Sequence, residues 1–368
     1  NIMIMNKFGF LSLGLIGGSI ALALRQICPG AHITAYARRQ STLDEALLAG
    51  AIDVGTTTIN DIFSDCDLIF LCAPVAVNNQ FLEQLKPVLS EKTILTDVGS
   101  VKGPIHETIS RLGLDSRFIG GHPMAGSEKT GFSNASPVLL ENAYYILTPT
   151  ESVAKEAVAA YSSLVQSMGA IPIQLSAQEH DYVTAAISHV PHLVAAALAN
   201  LVHDHDSAQE TMKMIAAGGF KDITRIASSS PDMWESICMS NTENIANLLD
   251  DYIVSLQTIS SAVRAKQNGF TYDLFAASKE YRDSFSDLPR GPITKVFACY
   301  VDIPDEAGAI ASIASLLAQA GISIKNIGII HNRDFEEGVL RVEFYEQTAL
   351  NEAVTLLRSL HYSIYHRK

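Results

Sequence analysis

The chain has 368 residues, roughly two to three times the length of a typical domain, and 48% of them are hydrophobic, enough for several cores. Its formal net charge of −13, from 26 Lys and Arg against 39 Asp and Glu, argues against a polyanion-binding surface, so neither nucleic acid nor an anionic membrane is an expected partner. Five cysteines (Cys28, Cys66, Cys72, Cys238, Cys299) form no CxxC pair, which suits buried thiols in a reducing, cytoplasmic setting.

Lys7 followed by the apolar run Phe8 to Leu24 has the outline of a secretory leader. Four glycines and Ser12 interrupt that run at loop-like positions, and it leads straight into further strand and helix patterns, so it reads as the opening of a folded domain. No other stretch is read as a membrane span. Phe8 to Leu13 predicts a buried strand, Gly17 to Gln26 a helix, His32 to Ala37 a second strand, and Ser41 to Ala49 a helix capped by Ser41. "DLIFLCAP" (Asp67 to Pro74), "TILTDVGS" (Thr93 to Ser100) and "FIGGH", ending at His122, are further strands. "AYYILT", a helix around Glu151 to Ser167 and "AIPIQL" (Ala170 to Leu175) close the unit. Strands alternating with helices imply an α/β fold with a parallel, doubly wound sheet over residues 1–175.

From Ser176 strand signals vanish, and residues 176–289 read as an all-helical domain. Its stretch "AAISHVPHLVAAALANLV" is apolar all round and must be covered, which favours a helical dimer interface. "FSDLPRGPIT" (Phe285 to Thr294) is a linker. A strand (Lys295 to Ile303), a helix with Ala309, Ile313, Leu316 and Ala320 on one face, and a strand (Ile322 to Ile330) follow. A turn at "FEEG", a strand (Val339 to Phe344), a helix (Leu350 to Leu360) and a last strand (Tyr362 to His366) complete a ferredoxin-like βαββαβ unit over 294–368.

"GLIGGS" sits between a strand and a helix, as a Rossmann dinucleotide turn does. Ser12, Gly14 and Gly17 take the three glycine places, with Leu15 and Ile16 between them, and serine at the bend is tolerable if its φ stays negative. The carboxylate that usually meets the ribose of NAD is replaced by Ala37, followed by Arg38 and Arg39, which leaves NAD or NADP open and tilts toward NADP. Pro74, at the end of a strand, is a further cofactor-side candidate.

Several polar clusters fall where an open sheet places its ligands: "DVGSVKG", "GGHPMAGSEKTG", "SHVPH" and "GGFKDITRIASSSPDMW". Together with "GLIGGS" they resemble the prephenate dehydrogenase family, which includes arogenate dehydrogenases, and the likeness runs over essentially the whole chain. The resemblance implies oxidative decarboxylation of prephenate to 4-hydroxyphenylpyruvate in tyrosine biosynthesis, with hydride passing to NAD or NADP. His122, in GHPMAG, matches the catalytic histidine that accepts the hydroxyl proton, and a neutral imidazole can do so near neutral pH. Ser100 matches the serine that orients the substrate hydroxyl, although the same side chain could cap the following helix. Arg225 matches the carboxylate clamp, and His192 the residue that meets the side-chain carboxylate. Lys221, Gly218, Trp234 and Glu128 follow substrate-site motifs less decisively.

His189 and His192 share a helix face but find no third ligand, so no metal is expected. "VDIPDEAGAIASIA" resembles the start of an ACT domain, which implies an effector site for tyrosine with Gly308 and Asn326 as contacts. The rival readings are an arogenate dehydrogenase, a dehydrogenase of small 3-hydroxy acids, and a non-catalytic sensor of dinucleotide and amino acid.

Overall fold

The structure is a computed structural model and describes residues 5–126, 129–285, 297–303, 308–330 and 338–365. The chain divides into two compact units, residues 1–286 and 287–368. The first opens with β1 (Lys7–Leu11), α1 (Leu15–Ile27), β2 (His32–Tyr36), α2 (Gln40–Leu48), β3 (Val54–Thr56), β4 (Leu68–Leu71), α3 (Val75–Leu85), β5 (Ile94–Asp97) and α4 (Gly103–Arg111). These five strands pair in parallel in the order β3-β2-β1-β4-β5, the first half of a Rossmann sheet. All four residues of β4 are buried, as a strand covered on both faces requires. Alternate side chains feed two cores: Phe8, Phe10, Leu68 and Phe70 pack with α1, while Leu11, Ile69 and Leu71 pack with α3 and α4.

The expected parallel sheet is corrected beyond β5. A single bridge, Leu95 to Phe118, leads to a second sheet of β6 (Ile119–Pro123), β7 (Tyr144–Pro149) and β8 (Ile171–Gln174), with α5 (Lys155–Ser167) between the last two. Strand β7 runs antiparallel to β6 and parallel to β8. The reason is the connection, since the described residues between β6 and β7 form short 3-10 turns and no crossover helix. Helix α2 starts one residue before the expected Ser41 and has Arg39 at its N-cap, without a side-chain cap. Strand β3 carries no strong apolar signal and was not expected.

The helical part contains α6 (Ala177–Thr184), a π-helical turn (Ala185–His189), α7 (Val190–His205), α8 (Thr211–Ile215), α9 (Gly218–Thr224), α10 (Pro231–Ser240), α11 (Thr242–Arg264) and α12 (Phe270–Ser284). The expectation that no stretch resembles a membrane span needs correction. Because α6, the π turn and α7 run on without a break, Ala177–His205 is long and apolar enough to cross a bilayer by length and composition, with a mean hydropathy of 1.5 over an 18-residue window. Its His180 and Asp181 are nevertheless buried against groups of the α/β sheet. The first apolar run is interior structure too: Phe8, Phe10, Ile20 and Leu24 are fully buried.

The second unit contains β9 (Phe297–Ile303), α13 (Ala309–Gln319), β10 (Ile324–Ile330), β11 (Gly338–Phe344), α14 (Gln347–Ser359) and β12 (Ile364–Tyr365), in the sheet order β10-β11-β9-β12. On α13 Ile313 is buried and Ala309 packs on the core as expected, but the face continues with Leu317, whereas Leu316 is half-buried and Ala320 exposed. Most of the linker at 285–294 and of the FEEG turn lies outside the described residues, as does Glu128.

Candidate active site

The cofactor side is built at the β1–α1 turn. Ser12 adopts φ +81°, against the expected negative φ, because the chain must reverse within two residues of β1. Its N–H donates to the Tyr36 carbonyl at 2.9 Å, which holds the bend in place. A Cβ on Gly17 would lie 2.9 Å from Cys72 Cβ and from the Ser12 carbonyl oxygen, so α1 can sit this close to β4 only with glycine there. Gly18 has the same constraint against Phe132 and Ala135, at 2.7 and 2.8 Å, which the sequence reading missed. A Cβ on Gly14 would meet nothing. Helix α1 has no side-chain cap and no acidic residue in its first turn, so the N–H groups of Leu15, Ile16 and Gly17 are unspent. An open backbone surface at an uncapped helix N-terminus fits a pyrophosphate. Pro74 is the N-cap of α3, and the buried Asn78 fixes that loop by accepting from Ala73 N–H at 3.0 Å and donating to the Ala73 and Leu71 carbonyls. Arg38 and Arg39 are exposed just past β2.

Next to this turn, at the carboxyl ends of β5 and β6, a polar network is sealed from water. Asp97 and Lys102 are both fully buried and pair with one another. Asp97 also accepts from the N–H groups of Gly99 (2.9 Å) and Gly121 (3.1 Å), and Lys102 Nζ donates to the Gly121 carbonyl (2.7 Å). The residue that precedes His122 is therefore gripped at both its backbone groups. The helix cap proposed for Ser100 is corrected: α4 begins at Gly103, and Asp181 supplies the acceptors for the N–H groups of Lys102 (2.7 Å) and Gly103 (2.8 Å). Ser100 is half-buried in the β5–α4 loop, and its hydroxyl makes no hydrogen bond among the described residues.

His122 stands on β6, partly buried. Its Nδ1 lies 2.7 Å from His180 Nε2, and His180 Nδ1 lies 2.7 Å from Asp181 Oδ1. A carboxylate can only accept, so His180 carries its proton on Nδ1 and its Nε2 accepts in turn. His122 must then donate from Nδ1, which leaves a lone pair on Nε2. Burial, then the neighbouring His180, Lys102 and His189, push the His122 imidazolium well below the usual histidine range. His180 is lowered by burial, against the pull of Asp181. Burial works against the Asp181 carboxylate, but the His180 bond and the two backbone N–H groups outweigh it and keep the group ionised.

A second cluster follows along the same long helix. His189 is buried, with Nδ1 3.3 Å from Asn241 Nδ2, and Asn241 also donates to the Asp181 carbonyl at 2.7 Å. His192 donates from Nδ1 to the Ser188 carbonyl (2.8 Å) and stacks on Trp234, centroids 3.9 Å apart. Trp234 thus has a place beside a candidate substrate residue, and its Nε1 is buried without a hydrogen-bond partner among the described residues. Gly218 opens α9, which carries Lys221, and Arg225 opens the 3-10 turn after it; both elements pack against α7, and all three residues are exposed. The structure shows no side-chain contact from Lys221 or Arg225 to the histidines. Among the described residues no cluster of three or more His, Cys, Asp or Glu is arranged to hold a metal.

A dinucleotide turn on a parallel sheet, a neutral histidine base at the strand ends and an attached helical unit define a nicotinamide-dependent dehydrogenase. Residues 20–174 match the nucleotide-binding domain of prephenate dehydrogenase, and residues 176–277 match its dimerization domain. Prephenate dehydrogenase of Bacillus subtilis is 38% identical over 335 residues, 90% of each chain. Among solved structures, prephenate dehydrogenase from A. aeolicus in complex with hydroxyphenyl propionate and NAD+ is 31% identical with a TM-score of 0.73, over 77% of this chain and all of that one. Arogenate dehydrogenase of Synechocystis is 32% identical with a TM-score of 0.69, over 76% and 99%. The chain belongs to the prephenate dehydrogenase family. It is a nicotinamide-dependent oxidoreductase, using NAD or NADP, built on the family's nucleotide-binding and dimerization domains.

Proposed function

We infer that the chain oxidises and decarboxylates prephenate to 4-hydroxyphenylpyruvate, the reaction for which the B. subtilis relative is named. The observation that carries this is the His122 imidazole, kept neutral and with its Nε2 lone pair unspent by the Asp181–His180–His122 chain. The nicotinamide, when bound, takes hydride from the ring carbon that bears the hydroxyl. His122 Nε2 takes the hydroxyl proton, the ring carboxylate leaves as CO2, and aromatisation drives the reaction forward. Ser100, whose hydroxyl makes no hydrogen bond among the described residues, orients the substrate hydroxyl. Arg225 clamps one carboxylate, His192 meets the other from its Nε2 side, and Lys221, Gly218, Glu128 and Trp234 complete the pocket.

The cofactor fits at Ser12, Gly14, Leu15, Ile16, Gly17 and Pro74. Arg38 and Arg39, with no carboxylate at Ala37, allow a 2′-phosphate, so NADP is proposed beside NAD. The division at residues 1–175, 176–289 and 294–368 is proposed as Rossmann, substrate and dimerisation, and ACT domains. The ferredoxin-like topology of the last unit supports that reading, with tyrosine as effector at Gly308, which opens α13 at φ +96°, and Asn326, at a bulge of β10. The exposed apolar side chains Ile187, Leu201, Ile253, Val254 and Leu256 support a homodimer through the π turn, α7 and α11, and a cytoplasmic setting is proposed with it.

Initial rates with prephenate and arogenate, each against NAD and NADP, test the assignment: arogenate preferred over prephenate moves the chain to the Synechocystis activity, and no turnover with either leaves a sensor. His122→Asn is expected to lower kcat on the order of 10²–10⁴-fold with cofactor affinity unchanged. Saturating tyrosine without inhibition removes the effector proposal.

A further inference from the structure

His180 and Asp181 lie outside the motifs singled out in the sequence, yet His180 makes the only side-chain hydrogen bond to His122 among the described residues, and Asp181 bonds His180 in turn. A buried base that accepts a proton becomes a cation in a site that desolvates cations, and Lys102 and His189 add positive or potentially positive charge nearby. Something must carry that charge. His122 Nδ1–H already points at His180 Nε2 at 2.7 Å, and His180 Nδ1–H already points at the Asp181 carboxylate at 2.7 Å.

We propose that His122 does not keep the proton it takes: His122 Nε2 gains the substrate hydroxyl proton, its Nδ1 proton passes to His180 Nε2, and the cation comes to rest as a His180 imidazolium paired with Asp181. The balance is simple. One O–H bond breaks and one N–H forms at His122 Nε2, one N–H breaks at His122 Nδ1 and one forms at His180 Nε2, and His122 ends neutral as the opposite tautomer. Once hydride and CO2 have left, the product oxygen is a phenolate, and the return of this proton to it by the same two nitrogens gives the phenol and resets the site. His180 is thus a positioning residue with a proton-holding role. The groups that face it are His122 from β6, Asp181 on its own helix, His189 from the π turn, and Lys102 and Asp97 from the β5–α4 segment, and only the two carboxylates favour its charged form. Asp97 is already paired with Lys102, which leaves Asp181 as the counter-ion.

The inference rests on the dehydrogenase reading of His122, and the test separates the two. Gln at position 180 can still accept from His122 Nδ1 through its amide oxygen, and so preserve the tautomer, but it cannot take a proton. In His180→Gln, kcat for prephenate is expected to fall at least about tenfold with KM within about twofold, and the acid limb of the kcat–pH profile to move about one unit lower, because protonated His122 has lost its outlet. A tenfold fall with an unmoved acid limb, or unchanged kcat, overturns the relay. If His122→Asn retains wild-type turnover, His122 is not the base and the reading on which the relay rests has failed, whereas no turnover by the wild-type protein removes the dehydrogenase reading itself. Should the Gln variant not fold, ¹⁵N-histidine spectra of the wild-type protein decide: both His122 and His180 are expected as Nδ1–H tautomers near neutral pH, and an Nε2–H tautomer at either breaks the chain.

Discussion

The indole of Trp234 lies over the imidazole of His192, centroids 3.9 Å apart and planes 25° from parallel. One residue comes from α10 and the other from α7, so the stack pins together two helices and sets the ring plane of His192, whose Nδ1 is already tied to Ser188. Such a pair contributes about 0.5–1.5 kcal/mol beyond burial. Trp234→Leu is expected to raise KM for prephenate roughly three- to tenfold with a smaller change in kcat, as steady-state kinetics will show.

Lys102 and Asp97 behave as a unit. Removing one partner leaves a charge in a fully buried site, so Lys102→Met is expected to cost about 3–5 kcal/mol in urea unfolding. Lys102→Met with Asp97→Asn is expected to recover part of that loss. Activity in the single variant falls as well, since both groups hold the backbone of Gly121 beside His122.

Ser12 holds a backbone conformation that costs an L-residue about 1–2 kcal/mol. Ser12→Gly is expected to raise stability by about 1 kcal/mol, read as a higher midpoint of thermal unfolding, with cofactor affinity retained. Gly17→Ala has the opposite sign. Its methyl would press on Cys72 and on the Ser12 carbonyl at 2.9 Å, and both stability and dinucleotide affinity are expected to drop.

Three histidines, His122, His180 and His189, are all shifted toward their neutral forms, chiefly by burial, and His189 is lowered to about 4. In the unfolded chain each would bind a proton near pH 6.5. Their stabilising effect is therefore complete above that pH and is lost as pH falls from about 6.5 toward 4. For His189, allowing for screening, the loss is about 1–2 kcal/mol over that window. Unfolding free energies measured at pH 7 and pH 5 check this, and His189→Asn is expected to flatten the slope.

The sheet and the helical half were legible because their signals are local. The fully apolar "LIFL" of β4 and the glycines before α1 each report on a few consecutive residues. GHPMAG marked His122 in the same way. His180 and Asp181 were not legible, because their meaning lies in partners 58 and 79 residues away, brought close only by packing α6 on β6 and α4. The dipeptide His-Asp near a helix start, after the Ser176 cap, was the available signal, and it is a weak one. Ser12 misled for a related reason: residue type suggests φ, but the chain reversal dictates it. The antiparallel β7 was hidden because strand direction depends on the length and shape of the connection, which apolar pattern does not encode.

The π-helical turn at Ala185–His189 acts as a phase adjuster. Each α-helical residue advances about 100° around the axis, so nine residues would set His189 half a turn away from His180. The wider turn takes up an additional residue without advancing the rotation, and so brings His180, His189 and His192 round toward one side of a single rod. Regularising this turn to an α-helix at constant length would swing every side chain from Val190 onward about 100° out of alignment while the sheet below kept its shape, whereas deleting the one additional residue would leave that alignment as it is.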